Sequence, residues 1–232
     1  NHNVVLRIKT NRSDRIWNIV GSIFSRASNL IILPLVLDKL NTNELNVYFV
    51  LMSLNAFVVL LDFGFNSNIS RSMTFAISGV TNLKKTGYDN ADSKTPNIVL
   101  FNQIYKLSKI IYFVIGCCGS ILLIALGNFY FKDLILKVPN GTTIWNLNTL
   151  VITITIYFNY LLPALKGLGL FKEINKLQIF SRLVYFSMAL ILLYLDYGLI
   201  SIVVSSLFSQ LLFRFLGYRI LSQESIITNI KA

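Results

Sequence analysis

The chain has 232 residues, of which 54% are hydrophobic and only 13% charged, with a mean hydropathy of +0.63, against roughly 25% charged in an ordinary soluble domain. Twenty-one Lys and Arg against ten Asp and Glu leave a formal net charge of +11, with one His and two Cys. So few charges cannot clothe a soluble globule of this size. The composition argues against a cytosolic enzyme, a disulfide scaffold and a disordered chain, and points to an integral membrane protein.

Residues 1–15 hold no long apolar stretch and no small-residue cleavage site follows the next apolar run, so they read as a cytoplasmic segment rather than a signal peptide. The chain opens on Asn1 rather than Met, and the expectation is of a fragment whose true start lies upstream. Six apolar segments follow, at about 16–37, 44–65, 110–129, 144–165, 177–195 and 199–221. Each approaches the roughly 20 residues that a helix needs to cross a hydrocarbon core about 30 Å thick. Their apolar runs are continuous rather than alternating, which favours helices over the strands of a membrane barrel. The expected fold class is therefore an all-α membrane protein: a six-helix transmembrane lobe over 16–221, with a cytoplasmic loop at 66–109 and a truncated cytoplasmic tail at 222–232.

Breakers fall between the runs: Asn41, Asn43 and Asn46, then Pro139-Asn140-Gly141, then Lys166-Gly167 with Gly169, then Asp196 with Gly198. Pro34 and Pro163 fall inside runs, and each predicts a kink or an early end because it removes an intrahelical bond. Within the long loop, 68–78 reads as a helix lying at the membrane surface, 84–96 as a mobile polar loop, and 97–109 as an extension of the third helix. Seventeen Lys and Arg fall on one side of this topology, three on the other, and Arg26 inside the first helix. The asymmetry places both termini and the 2–3 and 4–5 loops in the cytoplasm. It also accounts for the basic excess through anionic membrane lipid, without nucleic acid.

A charge in lipid is costly and marks a cavity or a partner. Arg26 shares one helical face with Asn18, Ser22 and Asn29. This face reads either as a cavity wall in which Arg26 binds an anion or as an interhelical ion pair or snorkelling side chain. On the sixth helix Ser206, Gln210 and Arg214 are spaced by four, beside Ser205 and Ser209. The alternatives there are a second cavity wall and, with slight preference, close packing with Arg214 reaching to the cytoplasmic face. Asn148, Thr155 and Asn159 on the fourth helix fit packing or cavity lining equally. Asp62 reads as a cytoplasmic gate residue pairing with Arg71 or Arg182, or as an interfacial carboxylate. His2 has no partner, and adjacent Cys117 and Cys118 fit inert packing. Gly167-Leu168-Gly169 is no nucleotide fingerprint, and no Walker motif is present. Neither a catalytic constellation, a metal site nor a cofactor is expected.

The stretch 21–79 combines a polar first helix ending in Leu-Pro-Leu, a short Asn-rich turn, a second helix closing on Leu-Leu-Asp-Phe-Gly-Phe, and an amphipathic stretch. In that order it resembles the opening of Wzx-type O-antigen and polysaccharide flippases. These belong to the multidrug/oligosaccharidyl-lipid/polysaccharide exporter superfamily. Residues 177–220 are similar to the family's fifth and sixth helices, with Gln-Ile-Phe-Ser-Arg, a Tyr-Gly-Leu-Ile turn and a closing Ser-Gln and Arg. The resemblance implies an N-terminal lobe of a two-lobed transporter that moves undecaprenyl-diphosphate-linked oligosaccharide across the bacterial inner membrane. It further implies Arg26 at the diphosphate, Arg214 as a weaker candidate, and Asp62 with Arg71 or Arg182 as a gate. The implied partners are a missing C-terminal lobe or second copy, and polysaccharide polymerase or assembly proteins. A drug/cation antiporter of the same superfamily and a non-transporting scaffold are the alternatives. A membrane polymerase or ligase ranks last, since the outer loops are short.

Overall fold

The computed structural model describes Ile19 and residues 31–60, 64–81, 83–84, 87–88 and 95–223. Within these the chain is helical apart from turns and one two-residue ladder, β1 (Leu83–Lys84) with β2 (Gly87–Tyr88), paired antiparallel with Leu83 opposite Tyr88. The helices are α1 (residues 31–39), α2 (Thr42–Leu60), α3 (Phe65–Ile77), α4 (Ile98–Ala125), α5 (Lys132–Leu136), α6 (Gly141–Tyr157), α7 (Leu161–Gly167), α8 (Phe171–Tyr194) and α9 (Ile200–Gln223). A π-turn segment, Leu126–Tyr130, continues α4, and a 3₁₀ turn, Phe158–Tyr160, joins α6 to α7.

Four of these units are long and apolar enough to cross a membrane: Ile98–Tyr130, Gly141–Gly167, Phe171–Tyr194 and Ile200–Gln223. They correspond to the third to sixth expected segments. Most of the first expected segment lies outside the described residues, and the second is represented by α2. The α4 helix begins at Asn97, whose Oδ1 accepts from the Leu100 N–H at 3.0 Å, so 97–109 does extend the span. The α8 helix begins at Phe171, six residues before the expected start at 177.

Two large apolar clusters fill the bundle, with a smaller one of Leu123, Ile152 and Ile156 between α4 and α6. One gathers Ile32, Val36, Val47, Leu51, Ile144, Trp145, Leu193, Leu199 and Val203. The other gathers Ile69, Met73, Phe101, Tyr112, Tyr160, Leu161, Leu165 and Leu221. The second explains α3. Its buried face, Ile69, Met73, Ala76 and Ile77, packs on α7, where Gly167 leaves no room for a Cβ beside Met73. The expected surface helix exists, but it lies against protein. The spans' outward faces are apolar instead: Val114, Ile121, Leu122, Ile191 and Phe208 are all exposed. Cys117 and Cys118 are exposed on the same kind of face and form no disulfide. In lipid an apolar side chain gains nothing by turning inward.

The turns between α1 and α2, α5 and α6, and α8 and α9 meet at one end, here the turn end. They share a cleft of about 280 Å³ lined by Lys39, Asn41, Glu44, Pro139, Asn140, Asp196 and Gly198 among others. The second cluster, α3 and α7 occupy the opposite, basic end.

Candidate functional site: a buried arginine at a helix break

Pro163 determines the local backbone. Without an N–H it cannot close an α-helical turn, and its ring crowds the carbonyl four residues earlier. The α6–α7 unit leaves the α-helical pattern in the 3₁₀ turn at Phe158–Tyr160, just before Pro163, and resumes it at Leu161. Departure from the i to i+4 pattern changes which N–H groups reach the carbonyls around Thr155 and Phe158. Arg214 of α9 supplies donors: Nη2 donates to the Thr155 carbonyl at 3.1 Å and Nη1 to the Phe158 carbonyl at 3.4 Å. The residue is 6% exposed. Its guanidinium carbon lies 5.1 Å from the Phe213 ring centroid, Tyr112 and Tyr160 stand within electrostatic reach, and Nε is buried without a hydrogen-bond acceptor. Arg214 therefore does not reach to the membrane face. A long side chain snorkels when nothing nearby accepts its hydrogen bonds, and here a broken helix offers two carbonyls.

The serine stripe beside it is close packing. Ser209 Oγ donates to the Ser181 carbonyl of α8 at 2.8 Å, Ser205 Oγ to the Ser201 carbonyl at 2.6 Å, and Ser201, Ser205 and Ser209 are buried. Ser206 and Gln210 are half-buried on the adjacent face, which leads down to Arg214. On α6, Asn148 is buried, and its Oδ1 accepts from Asn55 Nδ2 of α2 at 3.4 Å. The site thus draws α9, α6 and α7 together. Arg182 lies midway along α8, half-buried, rather than in the 4–5 loop where charge counting put it, and Arg71 is exposed on α3. Asn18, Ser22, Arg26, Asn29 and Asp62 lie outside the described residues, so the first-helix face and the gate carboxylate are not part of this geometry.

Sequence reading missed three features. Glu44 is 9% exposed and caps two elements: Oε2 accepts from the Asn41 N–H at 3.2 Å, Asn41 Oδ1 accepts from the Glu44 N–H at 3.0 Å, and Glu44 Oε1 accepts from the Leu199 N–H at 3.1 Å. The Asn-x-x-Glu spacing is a legible capping box, but its third bond is long-range. Trp145 Nε1 donates to the Leu123 carbonyl at 3.1 Å, just before the π-turn, and Gly127 leaves the indole its space. Last, Tyr105, Lys109 and Tyr160 cluster near the basic end. Their signal was the i, i+4 pairing of an aromatic with a lysine beside an apolar run.

Charge separates the two ends. Of the side chains described, the basic end carries Arg71, Lys106, Lys109, Lys166, Lys172, Lys176 and Arg219 with Glu173 as its one carboxylate. The turn end carries Lys39, Lys132 and Lys137 with Asp38, Glu44, Asp133 and Asp196. Lys39 and Asp196 form the one ion pair among the described residues, at 3.3 Å. No group of three or more His, Cys, Asp or Glu suited to a metal occurs among them. No protein family, curated protein or solved structure matches this chain.

Proposed function

We propose that the chain is one lobe of a flippase that moves an undecaprenyl-diphosphate-linked oligosaccharide across the bacterial inner membrane by alternating access, with both termini cytoplasmic. The observation that carries this reading is the sign of the charge held at depth. Arg214 is buried within α9 and Arg182 stands midway along α8, while the central turns of the four candidate spans contain no carboxylate. A fixed guanidinium favours an anionic cargo and matches phosphate oxygens in its geometry. A cation antiporter instead requires a carboxylate within the membrane to trade its charge. The resemblance of residues 21–79 and 177–220 supplies the substrate class. Arg26, on the face of Asn18, Ser22 and Asn29, is the primary diphosphate ligand in this reading, and the Gln210–Arg214 face supports it. Asp62 with Arg71 or Arg182 forms the gate. A second lobe, from further chain or a second copy, completes the cavity, and rocking of the two lobes moves the substrate. Flipping makes and breaks no covalent bond, so no catalytic group or cofactor is needed.

Reconstitution of the complete protein in vesicles carrying a fluorescent undecaprenyl-diphosphate oligosaccharide tests this. Arg26→Ala is expected to abolish leaflet transfer, and Arg26→Lys to retain part of it. Vesicles that exchange protons for a cationic dye while the lipid-linked sugar stays in place would favour the antiporter instead.

A further inference from the structure

Lys109 on α4 has an unusual setting for a cation. Its Nζ lies 4.5 Å from the centroid of the Tyr105 ring and 5.3 Å from that of Tyr160. The two rings meet edge to face with centroids 5.6 Å apart. No carboxylate among the described residues pairs with Lys109. Below it, in the direction of the span, Phe113 is exposed and packs edge to face on Tyr157 at 6.0 Å, and Ile110 is exposed beside it.

The depth of this cluster follows from helix arithmetic. The 21 residues from Lys109 to Tyr130 rise about 32 Å at 1.5 Å each, close to the roughly 30 Å of a hydrocarbon core. At the far end Phe129 is 88% and Tyr130 77% exposed, as expected of an aromatic belt at a membrane–water boundary. Lys109 and Tyr105 then stand at the opposite boundary, at phosphate level, with Phe113 and Tyr157 at the level of the first acyl carbons.

We propose that Lys109, held against the rings of Tyr105 and the buried Tyr160, binds the phosphate headgroup of an anionic phospholipid whose chains run down the Phe113–Tyr157 surface. The two rings hold the ammonium in place, the phosphodiester supplies an anion to it, and the surrounding excess of cations at the basic end selects negative over zwitterionic lipid. Lys109 is half-buried on α4 beside the exposed Ile110 and Phe113, with Tyr160 behind it in the core, and the site does not depend on what the protein transports.

The test is native mass spectrometry of the complete protein in mild detergent, titrated with phosphatidylglycerol. Lys109→Gln is expected to weaken phosphatidylglycerol binding about fivefold. Lys109→Arg should retain it, and Lys137→Gln at the turn end should leave it unchanged. Unchanged binding in Lys109→Gln, or equal binding of phosphatidylcholine, overturns the proposal. Displacement of the lipid by millimolar inorganic phosphate assigns the site to free phosphate and overturns it as well. A second measurement needs no variant: phosphatidylglycerol with a photoreactive headgroup should label the unmodified protein within 105–113. Labelling confined to other segments overturns the site. The readouts are binding and labelling, so a failure here leaves the transport assay untouched, and the reverse.

Discussion

The two ends of the bundle hold themselves together by different means. At the turn end, three short connections meet and are joined by a carboxylate. Glu44 closes the first turn of α2 and also accepts the Leu199 N–H, so one side chain fastens the α1–α2 turn to the α8–α9 turn. The charges there nearly balance, and Lys39 and Asp196 pair across the same cleft. Among the described side chains, the basic end has seven cations and one carboxylate, Glu173. Its elements are joined by apolar packing of α3 on α7, by Asn97 reaching the Val80 carbonyl at 3.2 Å, and by Lys166 donating to Asn66 at 3.0 Å. An end stitched internally can face water on its own terms. An end with surplus positive charge leaves that charge for something outside the chain, which in a membrane means lipid phosphate or an anionic cargo.

The buried arginine between these ends gives the sharpest way to break that contrast. If Arg214 is a structural donor to the break before Pro163, Arg214→Ala should remove the side-chain donor from the Thr155 carbonyl, leave the Phe158 carbonyl only the Leu161 N–H, and cost about 2 kcal/mol, measured by unfolding in detergent. Arg214→Lys should recover only part, since an ammonium cannot span both carbonyls as the planar fork does. Arg214→Ala with stability unchanged would mean that the carbonyls find other donors.

How far the sequence already spoke differs between the same two ends. Span existence was legible throughout, because continuous apolar runs carry the membrane signal in their length: the third to sixth segments all return as helices. The turn end was legible too. Asp196 at φ 57° and Gly198 at φ 63° form the expected turn, and Asn140 at φ 56° sits in the expected Pro-Asn-Gly break. The basic end was less so. The start of α8 at Phe171 was missed because Lys172, Glu173 and Lys176 read as loop by hydropathy, although a helix runs on past the membrane without any apolar requirement. Arg214 was misplaced for a related reason. Spacing by four shows that Ser206, Gln210 and Arg214 share a face, but not that a proline on another helix has disturbed the backbone which that face meets. Long-range hydrogen bonds such as Arg214 to Thr155 leave no periodicity to read.

At the turn end the corresponding test is Glu44→Ala. It removes the cap on α2 and strands the buried Leu199 N–H, and should cost about 2 kcal/mol in the same unfolding measurement. Glu44→Gln is the informative control, because its amide oxygen can still accept one of the two N–H bonds. It should fall roughly midway between the Ala variant and wild type. Equal stability of Glu44→Ala and wild type would show that the two turns hold their positions by packing of Val47, Leu193 and Leu199 alone.

The smallest effect expected is at the ion pair that closes the same cleft. Lys39 and Asp196 stand 3.3 Å apart, but the Asp196 side chain is 79% exposed, so water and salt screen the attraction. Lys39 also lies 5.6 Å from the Tyr194 ring centroid, a contact equally open to solvent. Lys39→Ala should therefore change stability by no more than about 0.5 kcal/mol, and raising the salt concentration should shrink even that. A loss as large as that of Glu44→Ala would mean that surface charge, and not the buried carboxylate, holds the turns together. The contrast between the two ends would then lie in the number of ion pairs each end can make. As the bonds stand, the turn end depends on one buried acid with three hydrogen bonds, and its exposed pair is an ornament of the same geometry.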